Sequence, residues 1–211
     1  MMRRSTREVL HRVIGRAEWR GTRLALPDDQ DRIIAACNTG PLLSAFQCDG
    51  VDWLKRYLAR IYVAPNQLDE FARHGARDEF QALLNQRFAW IASDLSATEK
   101  MQALNLAERI AAQSGSGDLN SADHSPEAEM LVIALRPELE CKIVLLDEKA
   151  ARTVAGELGF RVTGFPGILA RAGLDGLLTK QEIRRLLREC RRQGTHYSNA
   201  LIERVAETHG R

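Results

Sequence analysis

A small set of polar residues stands where apolar runs end or helices begin. Asn38 follows the run Ile33-Ile34-Ala35-Ala36-Cys37, and Asp147 follows Ile143-Val144-Leu145-Leu146. Glu70 lies in Gln67-Leu68-Asp69-Glu70-Phe71, and Glu127 and Glu129 open Pro126-Glu127-Ala128-Glu129-Met130-Leu131. Carboxylates gathered at one spot repel one another unless a cation sits between them, and oxygen donors suit Mg²⁺ or Mn²⁺. Each residue also fits a purely local role. Asn38 or Asp147 can cap a helix, Glu127 and Glu129 suit a positive helix N-terminus, and Glu70 suits a solvated face. Spacing alone leaves both readings open.

Convergence requires elements that aim these residues the same way. The run ending at Cys37 is uninterrupted and apolar, as expected of a strand buried on both faces in a parallel sheet. Asn38-Thr39-Gly40-Pro41 is punctuation, after which Leu42, Leu43 and Phe46 resume at helical spacing. Further strands are expected at Ile61–Ala64, Phe88–Ala92, Cys141–Leu146 and Phe160–Val162. Helices are expected between them, including Val51–Leu58 and a long one from Thr98 to about Gln113 that turns Met101, Leu104, Ala107, Ile110 and Ala111 inward. Ser114–Ser125 lacks periodicity and is expected to be a mobile loop. Strands alternating with helices predict an α/β fold, one parallel sheet covered on both faces by right-handed crossovers. The carboxyl ends of Ile33–Cys37 and Ile143–Leu146 would then share one edge, where open α/β sheets bind ligands.

The chain of 211 residues has an apolar share of 45%, enough for one full domain core. A basic extension over residues 1–30, with a helical stretch near Thr6–Ile14, precedes a domain over 31–211, the boundary falling in Pro27–Asp31. The sequence has no run of 18 apolar residues that could span a membrane, and no signal-peptide core follows Met1-Met2-Arg3-Arg4-Ser5, which points to the cytoplasm. Cys37, Cys48, Cys141 and Cys190 are scattered without metal-ligand spacing, so free thiols are expected. A net charge of +2 is too small to announce a nucleic-acid binder, but it is unevenly spread. Basic clusters occupy residues 1–23 and Lys180–Arg192, leaving the middle net acidic. Phosphate held at the ends and cations at the centre would suit that polarity. Arg184, Arg188, Arg191 and Arg192 share much of one helix face and are candidate RNA contacts, although a charge run also suits a solvated face. His74, His124 and His196 are expected at the surface.

Five segments in order carry a family resemblance: Asn-Thr-Gly-Pro-Leu-Leu from Asn38, Val-Ala-Pro-Asn-Gln-Leu-Asp-Glu-Phe from Val63, Pro-Glu-Ala-Glu-Met-Leu from Pro126, Ile-Val-Leu-Leu-Asp-Glu-Lys-Ala-Ala-Arg from Ile143, and Gly-Phe-Arg-Val-Thr-Gly-Phe-Pro-Gly from Gly159. Together they resemble the PIN domain over about residues 33–208, closest to the branch that often sits beside a small antitoxin. The resemblance implies a three-layer sandwich around about five parallel strands, with C-terminal helices. It implies a ribonuclease using Mg²⁺ or Mn²⁺, and a protein that dimerises. Residue by residue, the family's acids fall on Asn38, Glu70, Glu129 and Asp147, with Glu127 an additional metal-binding acid. Thr39 and Thr163 match supporting hydroxyl residues. Metal-dependent cleavage of RNA, as the toxin of a toxin–antitoxin pair, is the expected function. A catalytically impaired module binding RNA or protein is the alternative, because Asn38 stands where the family carries an acid. An amide oxygen can still ligate Mg²⁺ but brings no charge, and two unit charges about 4 Å apart interact by about 4 kcal/mol at an effective dielectric of 20.

Overall fold

The computed structural model of the protein describes residues 32–114 and 116–210. The helix expected near Thr6–Ile14, the basic cluster of residues 1–23 and the Pro27–Asp31 boundary lie outside them. Five strands, β1 (Ile33–Cys37), β2 (Leu58–Val63), β3 (Ala89–Ile91), β4 (Ile143–Leu145) and β5 (Arg161–Thr163), form one sheet in the order β3-β2-β1-β4-β5. Every neighbouring pair is parallel. The α/β sandwich expected from the alternation of elements is therefore what forms.

Strand β1 explains why its sequence is apolar throughout. Ala35 and Cys37 point into one core and Ala36 into the other, all fully buried. In β4, Ile143 and Leu145 join the first core while Val144 joins the second. Period-2 alternation with cover on both faces leaves no position for a polar side chain. The first core is closed by α1 (Thr39–Gln47), α2 (Val51–Tyr57), α3 (Gln67–Arg73), α4 (Arg77–Asn85), α8 (Phe165–Leu174), α9 (Lys180–Arg192) and α10 (Asn199–His209). The second is closed by α5 (Ala97–Ala111), α6 (Ser125–Ala134) and α7 (Lys149–Glu157).

Three expectations are corrected. Leu58 begins β2 rather than ending a helix, because pairing with Ile33 extends the strand back to the last turn of α2. In α5 the inward face is Ala103, Leu106, Ala107, Ile110 and Ala111, while Met101 is 60% and Leu104 57% exposed. The sequence offers two overlapping apolar stripes. The choice is tertiary: the stripe that packs on α6 and α7 is the one buried, and Glu99 in the first turn bonds Arg136 at 2.6 Å. Finally, His124 is buried rather than exposed. Its Nε2 meets the Ser116 hydroxyl at 2.9 Å and the Asp118 carbonyl at 3.0 Å, so the segment expected to be a structureless loop closes on itself and ends in a 3₁₀ turn, Ser121–His124.

The chain runs β1, β2, β3 to one side, then returns to β4 and β5 on the other. The switch point thus lies between β1 and β4, where crevices form beyond the strand ends. The Asn38 amide bonds the Leu145 carbonyl there at 2.9 Å.

Candidate active site

Asp147 leaves the end of β4 and opens on a groove of about 990 Å³ that also takes in Glu70, Glu148, Lys149, Arg152, Thr163 and Arg204. The carboxylate is held between two glycines. A Cβ on Gly164 would lie 2.3 Å from its Oδ1, and one on Gly40 would lie 3.3 Å from its Oδ2. The Tyr197 hydroxyl reaches Oδ2 at 3.5 Å and is itself anchored by Ser44 at 2.9 Å. The segment between α9 and α10 thereby becomes part of the site. Asp147 is exposed to solvent through the groove, although protein packs densely around the carboxylate on its other sides. Burial pushes its carboxyl up to about 6 against the opposing effects of Arg152 and Tyr197. Arg152 is fixed beside it by a 2.7 Å bond to the Leu146 carbonyl.

Asn38 is buried at the start of α1 with extended backbone angles, as an N-cap residue should be, yet its side chain makes no cap bond. Its Nδ2 donates to Glu127 Oε1 at 2.7 Å, and its Oδ1 accepts from Gln67 Nε2. Gln67 Oε1 in turn accepts from the Ala64 amide at 2.7 Å. Glu127 is raised above the ordinary carboxylate range, first by burial, with the charges of Glu148 and Glu70 adding to it and Asn38 opposing. Glu127, Glu148 and Glu70 therefore belong to one electrostatic group, with Asp147 and Glu148 adjacent in sequence along the groove.

Glu129 is placed differently. Two positions along a helix is a rotation of about 200°, so only one of Glu127 and Glu129 can face Asn38. The half-buried Glu129 is raised by burial, and the charge that opposes this is Lys100 of α5. Thr39 is buried with no partner for its Oγ1, while Thr163 lines the groove and donates to the Gly164 carbonyl at 3.2 Å. Spacing gave no warning of Gln67, Glu148, Arg152, Gly164 or Tyr197. Glu148 had only its adjacency to Asp147 to suggest it.

The arginines expected to touch RNA lie on α9, whose opposite face, Ile183, Leu186 and Leu187, is buried as expected. Arg184 bonds Glu203 at 2.7 Å and also pairs with Glu207; Arg188 bonds Glu203 at 2.8 Å. Arg191 bonds Asn199 and Arg192 bonds Glu189. These contacts lie at the exposed surface, where solvent screens them and a phosphate can compete for the guanidinium groups.

A family model described as a PIN domain matches residues 34–211. The chain belongs to the PIN-domain family. No curated protein and no solved structure matches it. PIN domains are nucleases as a class and typically use divalent metal ions. Both oxygens of Glu148 and Oγ1 of Thr39 are shut from water without a hydrogen bond, and the nearest candidate cation for Glu148 is His124 Nδ1 at 3.6 Å. Orphaned carboxylate oxygens beside two further acids with raised pKa values are what a bound cation would satisfy. Among the described residues no three His, Cys, Asp or Glu side chains form a ready ligand set. Mg²⁺ commonly takes only one or two carboxylates and keeps several waters, so Asp147, Glu148, Glu127 and Glu70 are the acids that could hold it. The described residues include no helix long and apolar enough to cross a membrane.

Proposed function

We propose that this PIN-domain protein is a metal-dependent endoribonuclease, the toxin of a toxin–antitoxin pair. The observation that carries this reading is the groove, in which Asp147, Glu148 and Glu70 lie beside Lys149, Arg152 and Arg204. Acids to hold a cation and bases to hold phosphates within one crevice suit phosphodiester hydrolysis. When bound, Mg²⁺ or Mn²⁺ would supply charge to the phosphate oxygens and acidify a water. Lys149 and Arg204 bind the backbone on either side, and Arg152 offers its remaining N–H groups to the reacting phosphate. Tyr197 and the two glycines keep Asp147 aimed. Water adds to phosphorus as the P–O3′ bond breaks, an ionised carboxylate of the group takes the water's proton, the departing O3′ takes a proton from solvent water, and the products are a 5′-phosphate and a 3′-hydroxyl. In this reading the protein works in the cytoplasm as a homodimer with a small antitoxin, as the resemblance implies.

The test is cleavage of a structured RNA with Mn²⁺ and with EDTA, with end-group analysis of the products. EDTA-resistant cleavage would overturn the metal dependence, and no cleavage with Mn²⁺ would favour the alternative of a PIN module that binds RNA or protein without cutting. The engagement of Asn38's amide is the observation on that side.

The α9 arginines give an independent expectation. If they hold phosphates, the slope of log affinity against log salt should become shallower by about 2 to 3 in an Arg188→Ala, Arg191→Ala, Arg192→Ala triple variant, since each lost phosphate contact removes about 0.9 for a duplex and 0.7 for a single strand. An unchanged slope would assign phosphate binding to Lys149 and Arg204 instead.

A further inference from the structure

We infer that Asn38 is a positioning residue for Glu127 and not a ligand of the cation, an inference that rests on the nuclease reading only for the identity of what the acids hold. The hydrogen-bond chain leading to it has a fixed direction. A backbone amide can only donate, so the Gln67 atom facing Ala64 N, at 2.7 Å, must be its oxygen. Its nitrogen then faces Asn38, and the atom receiving that N–H must be Oδ1. What remains for Glu127, at 2.7 Å, is Nδ2. Turning the Asn38 amide over would set nitrogen against nitrogen at Gln67 and oxygen against oxygen at Glu127. Both Asn38 and Gln67 are buried, so water cannot relieve such a mismatch.

The consequence is chemical. Where an aspartate would offer the acid group an oxygen, this chain offers an N–H. Nitrogen of an amide carries no lone pair free to bind Mg²⁺, and its protons repel a cation. What an N–H does well is stabilise a carboxylate, and Asn38 opposes the other influences that favour the neutral form of Glu127. One element outside the acid group thus sets its geometry: the first turn of α3, through Gln67, orients Asn38, which orients Glu127. The arrangement is complete without metal, whereas two acids in the same places would need a cation or a shared proton to sit together.

The experiment is a double-mutant cycle on Asn38→Ala and Glu127→Ala, read by Mn²⁺ calorimetry and by melting in EDTA. Asn38→Ala should weaken Mn²⁺ binding by about tenfold in the wild-type background but by less than about twofold once Glu127 is gone, since its effect runs through that residue. A ligand would cost the same in both backgrounds, and that result would overturn the inference. Gln67→Met supplies a second variant that touches neither acid nor Asn38 and keeps the side chain's bulk. It should weaken Mn²⁺ binding in the same direction by freeing the amide to turn, and unaltered or tighter binding would count against positioning. Should the wild-type protein bind no Mn²⁺ and cleave no RNA, the nuclease reading falls. The melting cycle in EDTA then decides the inference alone: losses smaller together than their sum support the contact, and strictly additive losses refute it.

Discussion

Replacing Asp147 by asparagine is expected to reduce metal-dependent RNA cleavage by at least about 100-fold while making the metal-free protein more stable. Loss of even an outer-sphere partner typically costs 10–100-fold in metal affinity or activity, and the proposed reading makes Asp147 a direct ligand. The stability change follows from burial. The folded carboxyl is raised to about 6 from an ordinary 3.8, so between those values the native state holds a proton that the unfolded chain has released. Stability contributed by this group is full below about pH 4 and is lost as pH rises through 6. At pH 7 the ionised group is a net cost, which asparagine removes. The whole difference would be worth about 3 kcal/mol, but the side chain opens on the groove, and solvent screening brings the expected gain down to about 1 kcal/mol. The two proteins should therefore melt alike in EDTA near pH 4 and diverge by pH 7. Mn²⁺ should then restore the wild type by mass action and leave Asp147→Asn behind. Full cleavage by Asp147→Asn would remove Asp147 from the catalytic site.

The second large effect is expected from a methyl group. Gly164 has φ near −127°, which any residue adopts, so alanine there would ordinarily gain up to about 1 kcal/mol by restricting the unfolded chain. Its Cβ, however, would lie 2.3 Å from Asp147 Oδ1 and 3.3 Å from the Leu146 carbonyl. The carboxylate can make room only by swinging out toward the groove, away from the position in which Gly164 and Tyr197 hold it. Gly164→Ala should cost about 1–3 kcal/mol as an overpacking substitution and should reduce cleavage nearly as far as Asp147→Asn. Gly156→Ala is the matched control. It sits in α7 with nothing within 4 Å of the added carbon and should stabilise the protein by about 0.5–1 kcal/mol with cleavage unchanged. Thermal melting and initial cleavage rates on the three proteins suffice. Wild-type activity in Gly164→Ala would mean that Asp147 tolerates displacement, which a fixed ligand would not.

Sequence by itself determined where the strands end and that they run parallel. An apolar run such as Ile33–Cys37 has only one comfortable environment, a sheet covered on both faces, and Asn-Thr-Gly-Pro ends it by local chemistry alone. That was enough to bring Asn38 and Asp147 to the same sheet edge, and enough to carry the family resemblance. Tertiary structure decided the rest, because it depends on rotations and partners that spacing does not encode. Glu127 and Glu129 are equally acidic and two residues apart; only the docking of α6 on the sheet turns one toward Asn38 and leaves the other beside Lys100. Met101 and Leu104 match the inward stripe of α5 as well as Ala103 and Leu106 do, until α5 docks on α6 and α7. His124 looks like a polar loop residue until its ring finds Ser116 and Asp118. The direction of the Asn38 amide is the furthest from sequence of all. It is set by a backbone N–H at Ala64, relayed through Gln67, and a chain of hydrogen bonds has a polarity only once every member is in place.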